Sequence, residues 1–296
     1  MAAKFKAAQI AAKLQRYKII MRMRTKIGKI SAKSTLMTMC AVFLCISSYA
    51  QSTWSDYAAA RNTIWEEKLE KQVGFLADSI CQGRGIGTRG GVEAAAWIAR
   101  EFEKARLKKM DGSWFKSCMS EKGQVGHNVV GLYHGGYADC DSYIIVGAHF
   151  DHIGNLGGKL YPGADANASG TVALTSLAEM ASIMRTLGKS YGSSIIFVAF
   201  DAKEMSMAGS RDFWRMMTEG ELSDPVSGEV ITPDKISLMV NIDQIGCSLS
   251  PLHSGRPDYM IMLGNHSLNP VQRELLDYSN RSSGLHMDLD YTYYGS

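Results

Sequence analysis

Between residues 54 and 280 the apolar positions follow two periods in turn, and the switches between them outline the fold. "WSDYAAARNTIWEEKLEKQVGFLADSI" (54–80) has the three- and four-residue spacing of an amphipathic helix. A second helix is predicted over 91–108, with Ala95, Ile98, Phe102 and Leu107 on one face. "HNVVGLY" (127–133) and "SYIIVGAHF" (142–150) read as strands, the second an unbroken apolar run suited to burial on both faces. A helix follows at "ASGTVALTSLAEMASIMRTLG" (168–188), a strand at "SSIIFVAF" (193–200) and a short helix at "AGSRDFWRMMT" (208–218). "ISLMVNID" (236–243) and "DYMIMLG" (258–264) are further strands, and "PVQRELLDYSN" (270–280) is a helix with Pro270 at its first turn. Strands alternating with helices imply an α/β fold: a mixed, mostly parallel twisted sheet flanked by helices on both faces.

The first 50 residues break this pattern. They hold ten Lys and Arg and no Asp or Glu, and end in the apolar stretch "LMTMCAVFLCISSYA". With Ser48 and Ala50 as small residues before Gln51, this reads as a signal peptide with a long basic start, followed by a single domain over 51–296. The apolar stretch is shorter than the roughly 20 residues a membrane span needs. An uncleaved anchor is the competing reading, and translation starting at Met21 or Met23 would shorten the basic region. Neither Cys40 nor Cys45 follows a lipoprotein signal. The expected location is periplasmic or extracellular, with no stable span after cleavage. The formal charge of +3 then misleads, because without residues 1–50 there are 22 basic against 29 acidic groups, a net of −7. Such a body excludes nucleic acid as the expected partner. Of the six cysteines, Cys81, Cys118, Cys140 and Cys247 lie in the mature part. They allow three pairings or free buried thiols, and no CxxC spacing points to a cysteine metal site.

"GRGIGTRGG" (83–91) has the look of a dinucleotide-binding turn, but it follows a helix rather than a strand, so it is read as a structural glycine turn. The chemistry gathers instead at three strand ends. "VGAHFDHIG" presents His149, Asp151 and His152; "FDAKEM" presents Asp201, Lys203 and Glu204; "VNIDQIG" presents Asp243. The loop "YPGADANASG" between the first two adds Asp165 and Asn167. A histidine with a nearby carboxylate to orient its ring is a good start for a metal site. Acids from neighbouring strand ends would suit a zinc pair about 3.5–4 Å apart that polarises a carbonyl and activates water.

In order and spacing, "GAHFDH", "PGADANASG", "FVAFDAKEMSMAGS" and "NIDQIG" resemble the motifs of the zinc-dependent exopeptidases of metallopeptidase family twenty-eight. That family includes bacterial leucyl aminopeptidases and plasma glutamate carboxypeptidase. The resemblance runs from about Asn128 to Asp243, with weaker support from Phe75 to Phe102. It implies one α/β domain with a sheet of about eight strands, zinc as cofactor, and an aminopeptidase or related exopeptidase ancestry. Residue by residue it makes His149, Glu204 and Asp243 metal ligands and Asp151 the acid that orients His149.

The departures fall on the chemistry. The family pattern reads Gly-Ala-Asp-Asp-Asn-Ala-Ser-Gly, and its second Asp bridges both metals. This chain has Ala166 there and keeps only Asp165, a candidate substitute ligand. The first residue of the family's Glu-Glu pair is the general base, and here it is Lys203, expected to be non-functional in that role. The last histidine ligand has no counterpart before Ser296, so the domain is expected to be incomplete at its C-terminus. One zinc would keep His149 and Asp243 and the other only Glu204, against the three or four ligands zinc uses. Zinc is therefore expected to be weak or absent. Lys203 is expected either to neutralise a buried cluster of Glu204, Asp243 and Asp151 or to face solvent. The function expected is that of a catalytically impaired family member binding a peptide or protein in the old cleft. The alternatives are an active metal-dependent aminopeptidase with an atypical site, and a single-metal hydrolase or transferase of the same fold.

Overall fold

In the computed structural model the described residues are 56, 58–136, 142–247, 259–264, 268–282 and 287–290, and the signal-peptide assignment at 1–50 lies outside them. From Ala58 on they belong to one compact unit. Helix α1 (Glu66–Ala77) leads through a 3-10 turn, Ser79–Arg84, into helix α2 (Arg89–Lys104). Strands β1 (Lys108–Lys109), β2 (Phe115–Met119), β3 (Val125–Tyr133) and β4 (Tyr143–His149) follow. A hairpin, β5 (Gly154–Leu156) and β6 (Lys159–Tyr161), precedes helix α3 (Gly170–Thr186) and strand β7 (Ser194–Phe200). Helix α4 (Ala208–Thr218), β8 (Ile236–Asn241), β9 (Tyr259–Ile261), α5 (Pro270–Ser282) and β10 (Asp288–Asp290) complete the described part.

The main sheet is mixed, in the order β1-β3-β7-β4-β8, with β2 also pairing β3. Six of its strands lie among the described residues, where the resemblance implied about eight. The hydrophobic runs explain its centre. β4 and β7 are apolar along almost their whole length and run parallel, Tyr143 opposite Ser194 through His149 opposite Phe200. β8 lies parallel to β4 on the other side, and β3 closes antiparallel onto β7. Alternate residues of β7 serve opposite faces. Phe197 and Ala199 join Ile98, Phe102 and Val172 under α2 and α3, while Ile196, Val198 and Phe200 join Phe213 and Met217 of α4. Parallel pairing brings the carboxyl ends of β4, β7 and β8 together on one edge, the usual place for chemistry in such sheets.

Two helices differ from expectation for local reasons. The helical spacing at 54–80 is interrupted before α1, where Trp65 is extended, and ends at extended Asp78, whose carboxylate accepts the Ile80 N–H. α2 stops at Lys104 rather than 108 because Arg106 takes a left-handed φ of 54°, although Leu107 still packs into the core. Cys81 and Cys118 are buried free thiols and Cys247 is an exposed one; Cys140 lies outside the described residues. Among the described residues no helix is long and apolar enough to cross a membrane.

Candidate active site

His149 is the last residue of β4 and is buried. Its Nε2 lies 3.1 Å from Asp243 Oδ1, just beyond β8, and its Nδ1 lies 3.1 Å from the Asp151 backbone carbonyl and 3.5 Å from Asp151 Oδ1. Burial alone would lower the imidazole pKa, but the bonds to Asp151 and Asp243 outweigh it and raise the group to about 9. Asp243 is held below the usual carboxylate range, first by the His149 bond and also by the charge of Lys203.

Asp151 is 1% exposed and ties β4 to the turn after β7. Its Oδ1 accepts the Lys203 N–H at 2.9 Å and its Oδ2 accepts the Glu204 N–H at 3.0 Å. Lys203 Nζ in turn lies 3.2 Å from Glu204 Oε1, with both side chains about a third exposed. This corrects the expectation of a buried acid cluster neutralised by Lys203. Only Asp151 is buried, and backbone N–H groups answer its charge. Asp243 pairs with His149, and Lys203 pairs with Glu204.

Asp165 and Asn167 leave the same loop with different fates. Asp165 Oδ1 accepts the Gly246 N–H at 2.8 Å. Asn167 is fully buried and holds two strand ends at once. Its Nδ2 donates to the carbonyls of His149 (3.1 Å) and Ile242 (2.9 Å), and its Oδ1 accepts from Gly170 (3.1 Å) and Gln244 (3.0 Å). Between them Ala166 offers no oxygen.

Two further groups support the strand ends. Arg84, fully buried in the glycine turn, donates Nε to the Phe150 carbonyl (2.6 Å) and guanidinium N–H groups to the carbonyls of Leu76 (2.5 Å), Pro162 (2.8 Å) and Gly163 (2.7 Å). Burial lowers its pKa to about 10. Asp201 accepts the N–H of His127 (2.9 Å) and of Ala202 (2.7 Å), yet burial pushes its carboxyl up to about 6. Gly126 permits the first bond, because a Cβ there would collide with Asp201 Oδ2. Reading the sequence singled out Asp201 and Asn167 only as polar groups near strand ends, and it passed over Arg84. A charged side chain whose partners are all backbone carbonyls leaves no pattern in a sequence.

The donors among the described residues do not fit a zinc ion. His149 and Asp243 supply two ligands where zinc sites use three or four. One Asp165 oxygen and both Asp151 oxygens already accept N–H groups, and Glu204 faces an ammonium. Among the described residues no three of His, Cys, Asp and Glu are grouped to hold a metal ion.

The sequence profile of peptidase family M28 matches residues 128–283. No curated protein sequence matches the chain. Among solved structures, the fold is similar to the LapA aminopeptidase of Legionella pneumophila, with a TM-score of 0.59 and 17% identity over 80% of this chain and 57% of that one. It is also similar to a leucine aminopeptidase precursor from Bacteroides thetaiotaomicron, with a TM-score of 0.53 and 15% identity over 76% and 75%. A glutaminyl cyclase from an Acidobacteriales bacterium gives a TM-score of 0.53 and 20% identity over 79% and 70%. The chain thus spans little more than half the length of LapA.

Proposed function

The chain belongs to peptidase family M28, and we propose that this member is exported and holds a peptide or protein ligand at the strand ends without hydrolysing it. The observation that carries the reading is the Lys203–Glu204 pair. At the position where the family resemblance requires a carboxylate to take a proton from water, the chain has an ammonium, which donates hydrogen bonds and has no lone pair to accept a proton. Ala166 removes the bridging oxygen from the same cleft. The acidic body argues against nucleic acid as the ligand, and export rests on the basic and apolar pattern of residues 1–50.

What remains is a surface built for recognition. The Asp243 carboxylate, held by the buried His149 ring, and the Lys203–Glu204 pair give donors and acceptors at the strand ends. A peptide carries the complementary groups on its backbone and at its termini. The competing reading, an active metal-dependent aminopeptidase, is favoured by the retained contact of His149 with Asp243 at 3.1 Å.

Turnover separates the two. Leucyl and alanyl amides are expected to show no measurable hydrolysis, with or without added zinc, and elemental analysis after dialysis is expected to find less than one zinc per chain. Robust chelator-sensitive hydrolysis by the unaltered protein would overturn the proposal in favour of the enzyme.

A further inference from the structure

Helix α5 lies between β9 and β10, which pair parallel, and its side chains divide into two faces. The inner face is fixed to the chain around it. Gln272 Nε2 donates to the Ser237 carbonyl of β8 at 3.4 Å, and Asn280 exchanges two bonds with the Met287 backbone, at 2.7 and 2.9 Å. Gln272, Leu276 and Asn280 are accordingly half-buried. The outer face carries Val271, Leu275 and Tyr278, which are 61%, 59% and 53% exposed. At about 100° per residue these three share an arc of roughly 60° and form one stripe along the helix. An apolar stripe of this kind ordinarily turns inward, so one left outside gains by being covered.

The charges beside the stripe say what covers it. Glu274 and Arg281 are both exposed and flank the stripe on the same side, roughly 70–90° from its centre and two turns apart. Among the described residues neither takes part in an ion pair. The opposite border, at Ser279, carries no charge. Such a face complements itself in one arrangement. Two antiparallel helices related by a two-fold axis perpendicular to them set each border against the same border of the partner. With the axis midway between 274 and 281, Glu274 meets Arg281 of the partner subunit, and Arg281 meets the partner's Glu274. Tyr278 then sits beside the axis and packs on the partner's Tyr278 and the partner's Leu275. In a parallel pair the charged border would face the uncharged one, and both ion pairs would be lost.

We infer that α5 is a docking surface for a second copy of this chain, with the two helices antiparallel. This goes beyond the peptide-holding reading and does not depend on it. One short helix from each copy covers less than the area of a tight dimer, about 1,200 Å², so the association is weak, with a Kd of about 1–100 μM. The test is sedimentation of the full chain over a concentration series. The unaltered chain is expected to pass from monomer to dimer between about 1 and 100 μM. Glu274→Arg alone and Arg281→Glu alone each place like charges at both contacts and are expected to weaken dimerisation about tenfold or more. Mixed in equal amounts, the two variants bring opposite charges together at both contacts and are expected to form a heterodimer about as tight as the unaltered pair. Leu275→Ser is expected to abolish dimerisation. All three positions are exposed, so the variants are expected to fold, which circular dichroism checks. A chain that stays monomeric at about 300 μM, as it would if another segment of the same chain or a different protein covered the face, overturns the inference. So does a dimer that tolerates the charge variants or Leu275→Ser, or one that the mixture fails to restore.

Discussion

Behind the strand ends, the side chains of Arg84, Asn167 and Asp151 all have their partners. Arg84 reaches four carbonyls, Asn167 makes four hydrogen bonds and Asp151 accepts two N–H groups. In front of the strand ends the groups that would meet a ligand are sparse and half open. Lys203 pairs with Glu204, Asp243 shares His149, and Ala166 contributes no polar side chain. The back layer joins the loops to one another through these bonds. The front layer is where family chemistry would happen, and its composition has changed. The difference teaches that the side chains that hold the loops are not the ones that would meet a ligand.

The contrast breaks most clearly at Arg84. Arg84→Met removes the side-chain donor from the carbonyls of Leu76, Phe150 and Pro162, while that of Gly163 keeps the Ala168 N–H, and is expected to lower the unfolding free energy by about 3–5 kcal/mol, read from denaturant midpoints. A loss below about 1 kcal/mol would mean that the back layer is not the structural one. Asn167→Ala removes four bonds made by a neutral amide around the β4 and β8 ends and is expected to cost about 2–3 kcal/mol in the same measurement.

Asp201 sharpens the contrast through pH. Its folded carboxyl titrates near 6 against an ordinary value of 3.8, so between these values the folded state binds more protons than the unfolded one. Stability from this group is therefore fully present below about pH 4 and is lost as pH rises through about 6, a decline of about 1–3 kcal/mol. Burial is its main cause; the neighbouring Asp151 charge adds to it, while the His127 and Ala202 N–H groups oppose it. Asp201→Asn is expected to flatten that part of the pH–stability curve, and an unchanged slope would show that the decline arises elsewhere.

The smallest effect is expected in the front layer. Lys203→Met removes an ion pair that is about a third exposed, and such pairs contribute about 0–1 kcal/mol. A loss near 3 kcal/mol would show that Lys203 belongs with the buried layer after all.

The elements that could be read from the sequence are those whose packing demands a long periodic signal. α4 has the bounds its pattern gave, and β4 and β7 were plain because parallel central strands are apolar throughout. The β5–β6 hairpin was missed because three-residue strands carry almost no period, although Gly157 and Gly158, both at positive φ, mark the kind of turn that makes one. His149, Asp151, Asp165, Lys203, Glu204 and Asp243 were named from motifs at strand ends, and the fold does bring His149 against Asp151 and Asp243. Which of them are buried could not be read, because exposure depends on elements far along the chain. Arg84 shows the same limit more sharply, since its role consists of contacts with carbonyls 66, 78 and 79 residues away.

Those separations also carry a kinetic consequence. A contact that closes a loop of 66 to 79 residues cannot form until most of the intervening chain is in place, because loop closure must be paid in entropy before the contact rewards it. The guanidinium should therefore lock after the β4–β7 sheet has assembled, as a late event. Variants of Arg84 should then hasten unfolding far more than they slow refolding. In a chevron plot the unfolding limb would rise while the folding limb stayed nearly still, making this one side chain a clasp on the finished molecule rather than part of its nucleus.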